Sequence, residues 1–197
     1  MRDKVGNSAG DSLLFRVFEQ NKTSQNFLSI LLDRQGDPDE SFTGQLTISE
    51  LVPGFDNVTS QPKLTIKDVP TLTSVDQHWA VLTDVNGVIG PDGQPIAIDS
   101  IVPNAPDNRL VAVIDSGFSY PQVPRAMSDA IYGRVQGAQY DTNTEQWTLP
   151  CDQELNITFM FGGQAYPIHP LDTSSSDLKS GNFCIGAVSK LGPTIPS

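Results

Sequence analysis

The residue of this sequence most able to do chemistry is a carboxylate at the end of an apolar run. Residues 110–114, Leu-Val-Ala-Val-Ile, lead directly into Asp115, Ser116 and Gly117. Such a run favours a fully buried strand, and aspartate is rarely buried without hydrogen-bond partners. Gly117 lets the backbone approach the acid, and Ser116 adds a hydroxyl. On the tripeptide alone, a simple turn after a strand is the more common explanation, and a buried carboxylate held by hydrogen bonds is the alternative.

The segment after this tripeptide predicts a helix. Pro124 suits a first helical position, and Gly137 predicts the end of the helix. Between them lie apolar residues that fall on one helical face: Met127, Ala130, Ile131 and Val135.

Several further motifs follow in order. They are the segment WTLPC at 147–151, the strand ITFMF at 157–161, the turn Gly162-Gly163, the segment YPI at 166–168 and GNFCI at 181–185. This ordered set resembles the C-terminal lobe of the pepsin-like aspartic proteases. The resemblance extends upstream to "LLFRVFEQNKTSQNFLSILLDRQ…GQLTIS" and "HWAVLTDVNGVIG", and it covers the chain from about Gly10 to about Ala187.

The resemblance implies a mostly β fold, a partial pepsin-like lobe with a β barrel and two short helices. Residues 1–58 would be a remnant of the N-terminal lobe and interlobe segment. Residues 59–197 would be the C-terminal catalytic lobe, incomplete at its C-terminal end.

The chemistry that the resemblance implies is hydrolysis of internal peptide bonds by two aspartates that share a proton across a water. Each lobe supplies one D-[ST]-G motif, and Asp115 matches the second. No other aspartate precedes Ser-Gly or Thr-Gly, since Asp11-Ser12 continues to Leu13 and Asp99-Ser100 to Ile101. We therefore expect a chain truncated at both ends and inactive alone.

Other positions carry over from the family pattern. Ser116 keeps the hydroxyl that Thr commonly supplies there. Phe118 and Ser119 would border the substrate cleft, although Phe118 could equally serve packing. His78 would lie near the same cleft, whereas Trp79 is expected in the core and His169 on the surface.

Cys151 and Cys184 are the only cysteines. Two cysteines cannot build a structural zinc site unaided, and their spacing fits no redox motif. The resemblance implies a disulfide between them; two separate buried thiols are the alternative. We expect neither a metal nor a cofactor.

Three sequons, at Asn21, Asn57 and Asn156, are candidate glycosylation sites and point to the secretory route. The resemblance implies a secreted or vacuolar protein, but no apolar segment follows Arg2 and Lys4 as a signal peptide would require.

The composition limits the classes of partner to expect. Twelve basic and 23 acidic residues among 197 give a net charge of −11, which argues against nucleic acid or an anionic membrane as partner. No stretch is long and apolar enough to span a membrane. The expected partner of the full-length parent is a polypeptide substrate, and the chain itself could associate with its missing lobe or with a second chain.

Two rivals to the protease interpretation remain. One is a non-catalytic pepsin-fold module that binds a protein, and the other is an unrelated acidic β domain. The sequence also predicts two local features: a hairpin that joins residues 79–85 to 88–89 through Asn86-Gly87, and a Ser-rich surface loop over residues 172–180.

Overall fold

The computed structural model describes residues 13–34, 43–65, 79–117, 120–175 and 181–190. The described residues up to Gln61 form one compact unit, and those from Pro62 onward form another.

The chain is mostly β, as predicted, with two short α-helices, α1 (Leu13–Gln20) and α2 (Arg125–Tyr132). Short 3-10 helices cover Asp56–Ser60 and Pro170–Asp172. The strands are β1 (Leu28–Leu31), β2 (Gln45–Ile48), β3 (Ala80–Leu82), β4 (Val88–Ile89), β5 (Val111–Val113), β6 (Gln122–Val123), β7 (Gln139–Asp141), β8 (Gln146–Pro150), β9 (Thr158–Phe161), β10 (Gln164–Pro167), β11 (Ser174–Ser175), β12 (Phe183–Gly186) and β13 (Ser189–Lys190).

In the first unit, β1 and β2 form an antiparallel pair. The register places Leu28 opposite Ile48 and Ile30 opposite Leu46, so all four side chains share one face. Ile30, Leu46 and Ile48 are exposed on that face. Two strands alone are only marginally stable in water, and the exposed apolar face of this pair contributes little buried surface to stabilise it.

The core of the second unit forms where α2 packs on strands. Buried side chains of the helix meet apolar residues from β8 and from the segment that enters β9; the principal members are Met127, Ile131, Tyr132, Leu149, Leu155 and Ile157. The spacing of Met127 and Ile131 brings both onto one helical face, as predicted. The helix ends at Tyr132 rather than near Gly137, because Gly133 takes the C-cap position and Val135 begins a following turn.

Tyr132 fastens the helix to the strands beneath it. Its buried hydroxyl donates to the Thr173 carbonyl at 3.3 Å and accepts from the Val188 N–H at 2.9 Å. Burial raises the pKa of this phenol, so the hydroxyl stays protonated. Gly186 lies against the ring, and a Cβ at this position would overlap the ring atoms. The close approach therefore requires glycine.

A polar cluster joins the start of α2 to β7 and β8. Asp129 accepts from Arg125 Nε at 2.6 Å and from Trp147 Nε1 at 2.9 Å. The Arg125 guanidinium lies 3.5 Å above the centre of the Tyr140 ring. These contacts combine a charge-assisted hydrogen bond with a cation–π interaction.

The expected β barrel is not closed. Within the described residues, the strands form separate sheets with the orders β11-β12-β8-β7, β10-β9-β4, β1-β2, β13-β6 and β3-β5. The pair β13-β6 is parallel, and the other pairings are antiparallel.

The predicted hairpin at Asn86-Gly87 is wrong. Asn86 adopts the expected left-handed backbone with φ 51°, but β3 pairs with β5 and β4 pairs with β9. The turn is bound to the β9–β10 connection, because the Asp84 carboxylate accepts from the N–H groups of Gly162 and Gly163 at 2.9 and 2.8 Å. The two strands therefore leave the turn into different sheets.

The Ser-rich segment is also not wholly a loop. Ser174 and Ser175 form β11, which pairs with Gly186 and Ile185 of β12. Thr173 just before it is buried, because it lies beneath the Tyr132 hydroxyl. Residues 176–180 lie outside the described residues.

The disulfide that the resemblance implied is present between Cys151 and Cys184. Cys184 pairs with Leu149 in the β12–β8 ladder, and the Cys151 N–H donates to the Asn182 carbonyl. The bond therefore fastens the end of β8 to β12. No helix of the described residues has the length and apolar character needed to cross a membrane.

Loss of the disulfide should destabilise the second unit. The two cysteines are 33 residues apart, and a cross-link of this span stabilises by about 3–4 kcal/mol in the chain-entropy model. The double variant Cys151→Ala/Cys184→Ala should lose that much free energy of unfolding in urea. Dithiothreitol should lower the urea midpoint of the native chain and leave that of the variant unchanged; equal midpoints for the oxidised chain and the variant would contradict the prediction.

A second prediction concerns the turn after β4. The Asp92 carboxylate accepts from the Gln94 N–H at 3.0 Å and from Arg134 Nη1 at 2.8 Å, which ties this turn to the end of α2. The Gln94 hydrogen bond, helped by Arg134, lowers the pKa of Asp92. Because the folded pKa is the lower one, the stabilisation is present above the unfolded value of about 3.9 and disappears as pH falls through the folded value.

Asp92→Asn should therefore lower the thermal midpoint at pH 6, and the difference from the native chain should vanish at a pH low enough to protonate Asp92 in the folded chain. Asp107→Asn, on an exposed loop, is the matched control and should leave the thermal midpoint unchanged at both pH values. A deficit in Asp92→Asn that stays constant from pH 6 to pH 2 would refute the assignment.

Candidate active site

The strand that carries Asp115 is positioned by one neighbour. β5 pairs antiparallel with β3, with Val113 opposite Ala80 and Val111 opposite Leu82. The pairing continues one residue further, since the Ile114 N–H donates to the Trp79 carbonyl at 2.7 Å. The backbone is thus held up to the residue before the acid.

Thr83 fixes the other end of β5. Its N–H donates to the Leu110 carbonyl and its hydroxyl accepts from the Leu110 N–H, both at 2.9 Å. Its own carbonyl accepts from Arg109 Nε at 2.6 Å. Thr83 is buried and its partners Arg109 and Leu110 are half-buried, so these hydrogen bonds are largely shielded from water and the loss of a partner is costly. Sequence reasoning missed this residue, although a lone hydroxyl within the apolar segment AVLTDV was a visible signal.

Asp115 itself lies in a tight turn. Its Oδ1 accepts from the Gly117 N–H at 2.8 Å, an Asx-type contact within the tripeptide. A Cβ on Gly117 would lie 3.1 Å from that oxygen, which is a crowded contact. The glycine therefore lets the backbone close on the carboxylate. Asp115, Ser116 and Gly117 are all exposed.

The prediction of a fully buried strand is wrong. Val113 and Ile114 are 47% and 61% exposed, and the other residues of the run are only partly buried. Among the described residues β5 has a single strand neighbour, so its apolar side chains are not covered on both faces as in an interior strand.

The remaining predicted cleft residues give a mixed result. Phe118, Ser119 and His78 lie outside the described residues. Trp79, expected in the core, is 55% exposed because it lies at the open end of the β3–β5 pair. His169 is exposed, as expected, and its Nδ1 accepts from the Leu171 N–H at the start of the second 3-10 helix.

Two cavities lie elsewhere in the second unit. One, of about 300 Å³, is bordered by Tyr120, Ser128, Trp147 and β12, and the other, of about 650 Å³, adjoins the disulfide. Asp115 lines neither of them. The acid therefore stands on an open surface of the part of the chain that the structure describes.

The three sequon asparagines are all exposed, as glycan attachment requires. In the described ranges, no three His, Cys, Asp or Glu side chains come together in an arrangement that could hold a metal ion.

The arrangement offers an exposed carboxylate whose direction is set by a backbone N–H. Such a group can accept a proton from a water or donate one when protonated. It cannot hold both protonation states at once, so one turn of this kind supplies half of an acid–base pair.

A comparison with protein families gives a match over most of the chain. The model of the family described as eukaryotic aspartyl protease matches residues 16–195. The matched range includes Asp115 and both cysteines.

Individual relatives agree with this match. The aspartic-type endopeptidase ctsD of Aspergillus fumigatus is 31% identical over 80 residues, which are 39% of this chain and 17% of that protein. A probable aspartic-type endopeptidase CTSD of Arthroderma benhamiae is 28% identical over 92 residues, 45% of this chain and 18% of that protein. Major aspartyl peptidase 1 of Cryptococcus neoformans var. grubii is 28% identical over 98 residues, 45% of this chain and 19% of that protein. The matched segments thus cover less than a fifth of each relative's length.

The role of Thr83 can be tested by a nearly isosteric change. Thr83→Val removes the hydroxyl that accepts from Leu110, and a buried N–H left without its acceptor costs about 1–3 kcal/mol. The variant should lose that much free energy of unfolding, and amide exchange at Leu110 should accelerate.

Thr83→Ser keeps the hydroxyl and serves as the matched control. Its Leu110 amide should exchange at nearly the native rate. If the Val and Ser variants protected that amide equally well, the side-chain contact would not hold β5 in place.

Proposed function

Because this chain belongs to the eukaryotic aspartyl protease family, we propose that its parent protein hydrolyses internal peptide bonds and that Asp115 is one of its two catalytic carboxyl groups. The observation that carries this proposal is the Asp115-Ser116-Gly117 turn at the end of β5, inside the range that the family model matches. The relatives named above are endopeptidases or peptidases, which supports the same reaction class.

In the proposed reaction, two carboxyl groups hold a water between them and share one proton. The ionised group takes a proton from the water as the water oxygen attacks the scissile carbonyl carbon. The protonated group donates to the carbonyl oxygen, and proton transfer to the leaving nitrogen then completes cleavage. Gly117 supports this chemistry because its N–H holds one oxygen of Asp115 and thereby orients the carboxylate.

We further propose that the 197-residue chain has no peptidase activity alone. Its sequence contains a single D-[ST]-G motif, and the hydrogen bond recorded for the Asp115 carboxylate within the described residues comes from Gly117. Without a second acid at bonding distance, the base and acid roles cannot be divided between two groups.

The domain assignment and the route through the cell are part of the same proposal. Residues 1–58 would belong to the N-terminal lobe and interlobe segment, and residues 59–197 to the C-terminal catalytic lobe. The disulfide favours a secreted or vacuolar location, because such bonds persist in oxidising compartments. The substrate would be a polypeptide.

A second candidate is a non-catalytic pepsin-fold module that binds a protein. The observation in its favour is the set of exposed apolar residues beside the turn, Trp79, Val113 and Ile114, together with the position of Asp115 outside both cavities. A second D-[ST]-G motif in the parent gene would favour the protease.

The test uses the parent protein, the 197-residue chain and a denatured protein substrate near pH 3–4. The parent should cleave the substrate, and Asp115→Asn should lower kcat roughly 100-fold or more because a general acid–base group is lost. The isolated chain should show no cleavage above a blank.

Asp107→Asn in the parent is the matched control and should retain native activity. Cleavage by the isolated chain that Asp115→Asn abolishes would overturn the inactivity proposal. Full activity of the Asp115→Asn parent would overturn the catalytic assignment.

A further inference from the structure

Asn21 lies in a turn that its own sequon builds. It follows α1 directly, and its N–H donates to the Val17 carbonyl at 3.3 Å, which ends the helix. Its side-chain Oδ1 accepts from the Thr23 N–H at 3.3 Å and from the Thr23 hydroxyl at 2.8 Å. Both donors of the sequon threonine therefore converge on the amide oxygen of the asparagine.

This arrangement leaves the amide nitrogen available. Among the described residues no acceptor is recorded for Asn21 Nδ2, and the residue is exposed. Because both hydrogen bonds are made by Oδ1, the nitrogen is the end of this amide that stays open to reaction. Lys22 and Thr23 are exposed as well, so an enzyme can reach the whole sequon.

The other two sequons differ in the contact that the threonine makes. In the 3-10 helix Asp56–Ser60, the Thr59 hydroxyl donates back to the Asp56 carbonyl at 2.8 Å rather than to Asn57. Asn156 lies between the buried Leu155 and Ile157.

The threonine of the Asn156 sequon, Thr158, lies in β9, where it pairs with Ile89 and Pro167. An enzyme can therefore bind that sequon in a free conformation only before this long-range pairing forms or after it opens. The Asn21 contacts span two residues, so they can form before the chain folds.

We propose that Asn21 is an N-glycosylation site and that it is occupied ahead of Asn57 and Asn156. The co-reactant is a lipid-pyrophosphate-linked oligosaccharide. The Nδ2–C1 bond to the first sugar forms as the bond from C1 to the pyrophosphate oxygen breaks. The pyrophosphate leaves with the electron pair, and Nδ2 gives up one proton. This inference rests on the secretory route in the proposed function.

The experiment supplies that route directly. The full 197-residue chain is expressed behind a secretion signal in a eukaryotic host, and total cell extract and medium are digested with peptide-N-glycosidase in ¹⁸O water. Mass spectrometry then gives the fraction of each asparagine converted to ¹⁸O-labelled aspartate. Occupancy of Asn21 should be highest, by roughly 2- to 10-fold over Asn156, the population shift of one local hydrogen bond.

Matched variants isolate each threonine. Thr23→Ala should abolish modification at Asn21, whereas Thr59→Ala and Thr158→Ala should leave Asn21 occupancy unchanged. Thr23→Ser, which keeps both donors, should retain modification.

An unmodified Asn21, or higher occupancy at Asn57 or Asn156, would overturn the inference. Because the signal is supplied and peptidase activity is measured separately on the parent protein, such a failure would not bear on the catalytic assignment. A parent without peptidase activity would likewise leave the glycan result standing.

Discussion

Acid proteolysis of the kind proposed here requires two carboxyl groups close enough to share a proton. Like charges at that distance cannot both ionise, and this repulsion is what creates one acid and one base from identical side chains. Around Asp115 the structure shows a strand held on one side, a turn closed by glycine and a carboxylate that accepts from a backbone N–H, which are features suited to presenting one such group. The second group must come from another D-[ST]-G motif, which this sequence does not contain.

A series of contacts connects the turn at Asp115 to the core of the second unit. Thr83 anchors the start of β5, and residues 84–87 are in turn bonded to the β9–β10 connection through Asp84. β9 is preceded by the buried Ile157, which joins the core beneath α2. The disulfide and the Tyr132 hydroxyl hold β12 against this core. The position of the acid thus depends on contacts between segments that are distant in sequence.

Local features of the fold could be predicted from the sequence, and pairing partners could not. The α2 face and the strand at 157–161, observed as β9, follow from periodicity and residue type, which act over a few neighbours. Asn86 has the left-handed backbone that its residue type favours, but the turn spans residues 84–87 and the flanking strands join different sheets. Asp84 bonds there to glycines nearly 80 residues away. Ser174-Ser175 became a strand for the same reason: its partner in β12, not its own composition, decides its structure.

The candidate site shows the same division. The ordered set of motifs predicted the disulfide, which is present, and it named Asp115 as the candidate acid, which stays a proposal. The predicted burial of Val113, Ile114 and Trp79 was wrong. An apolar residue type indicates that a side chain can be buried, but it does not indicate whether another element covers that side chain.

The most direct test of the paired-acid requirement is calorimetric binding of a peptide analogue that carries a tetrahedral secondary alcohol in place of the scissile carbonyl. Such a compound resembles the transition state and gains affinity only where both carboxyl groups are present. The parent protein should bind it with saturable heat that Asp115→Asn largely removes, and the 197-residue chain should show no saturable binding. Equal affinity for the isolated chain and the parent would contradict the account.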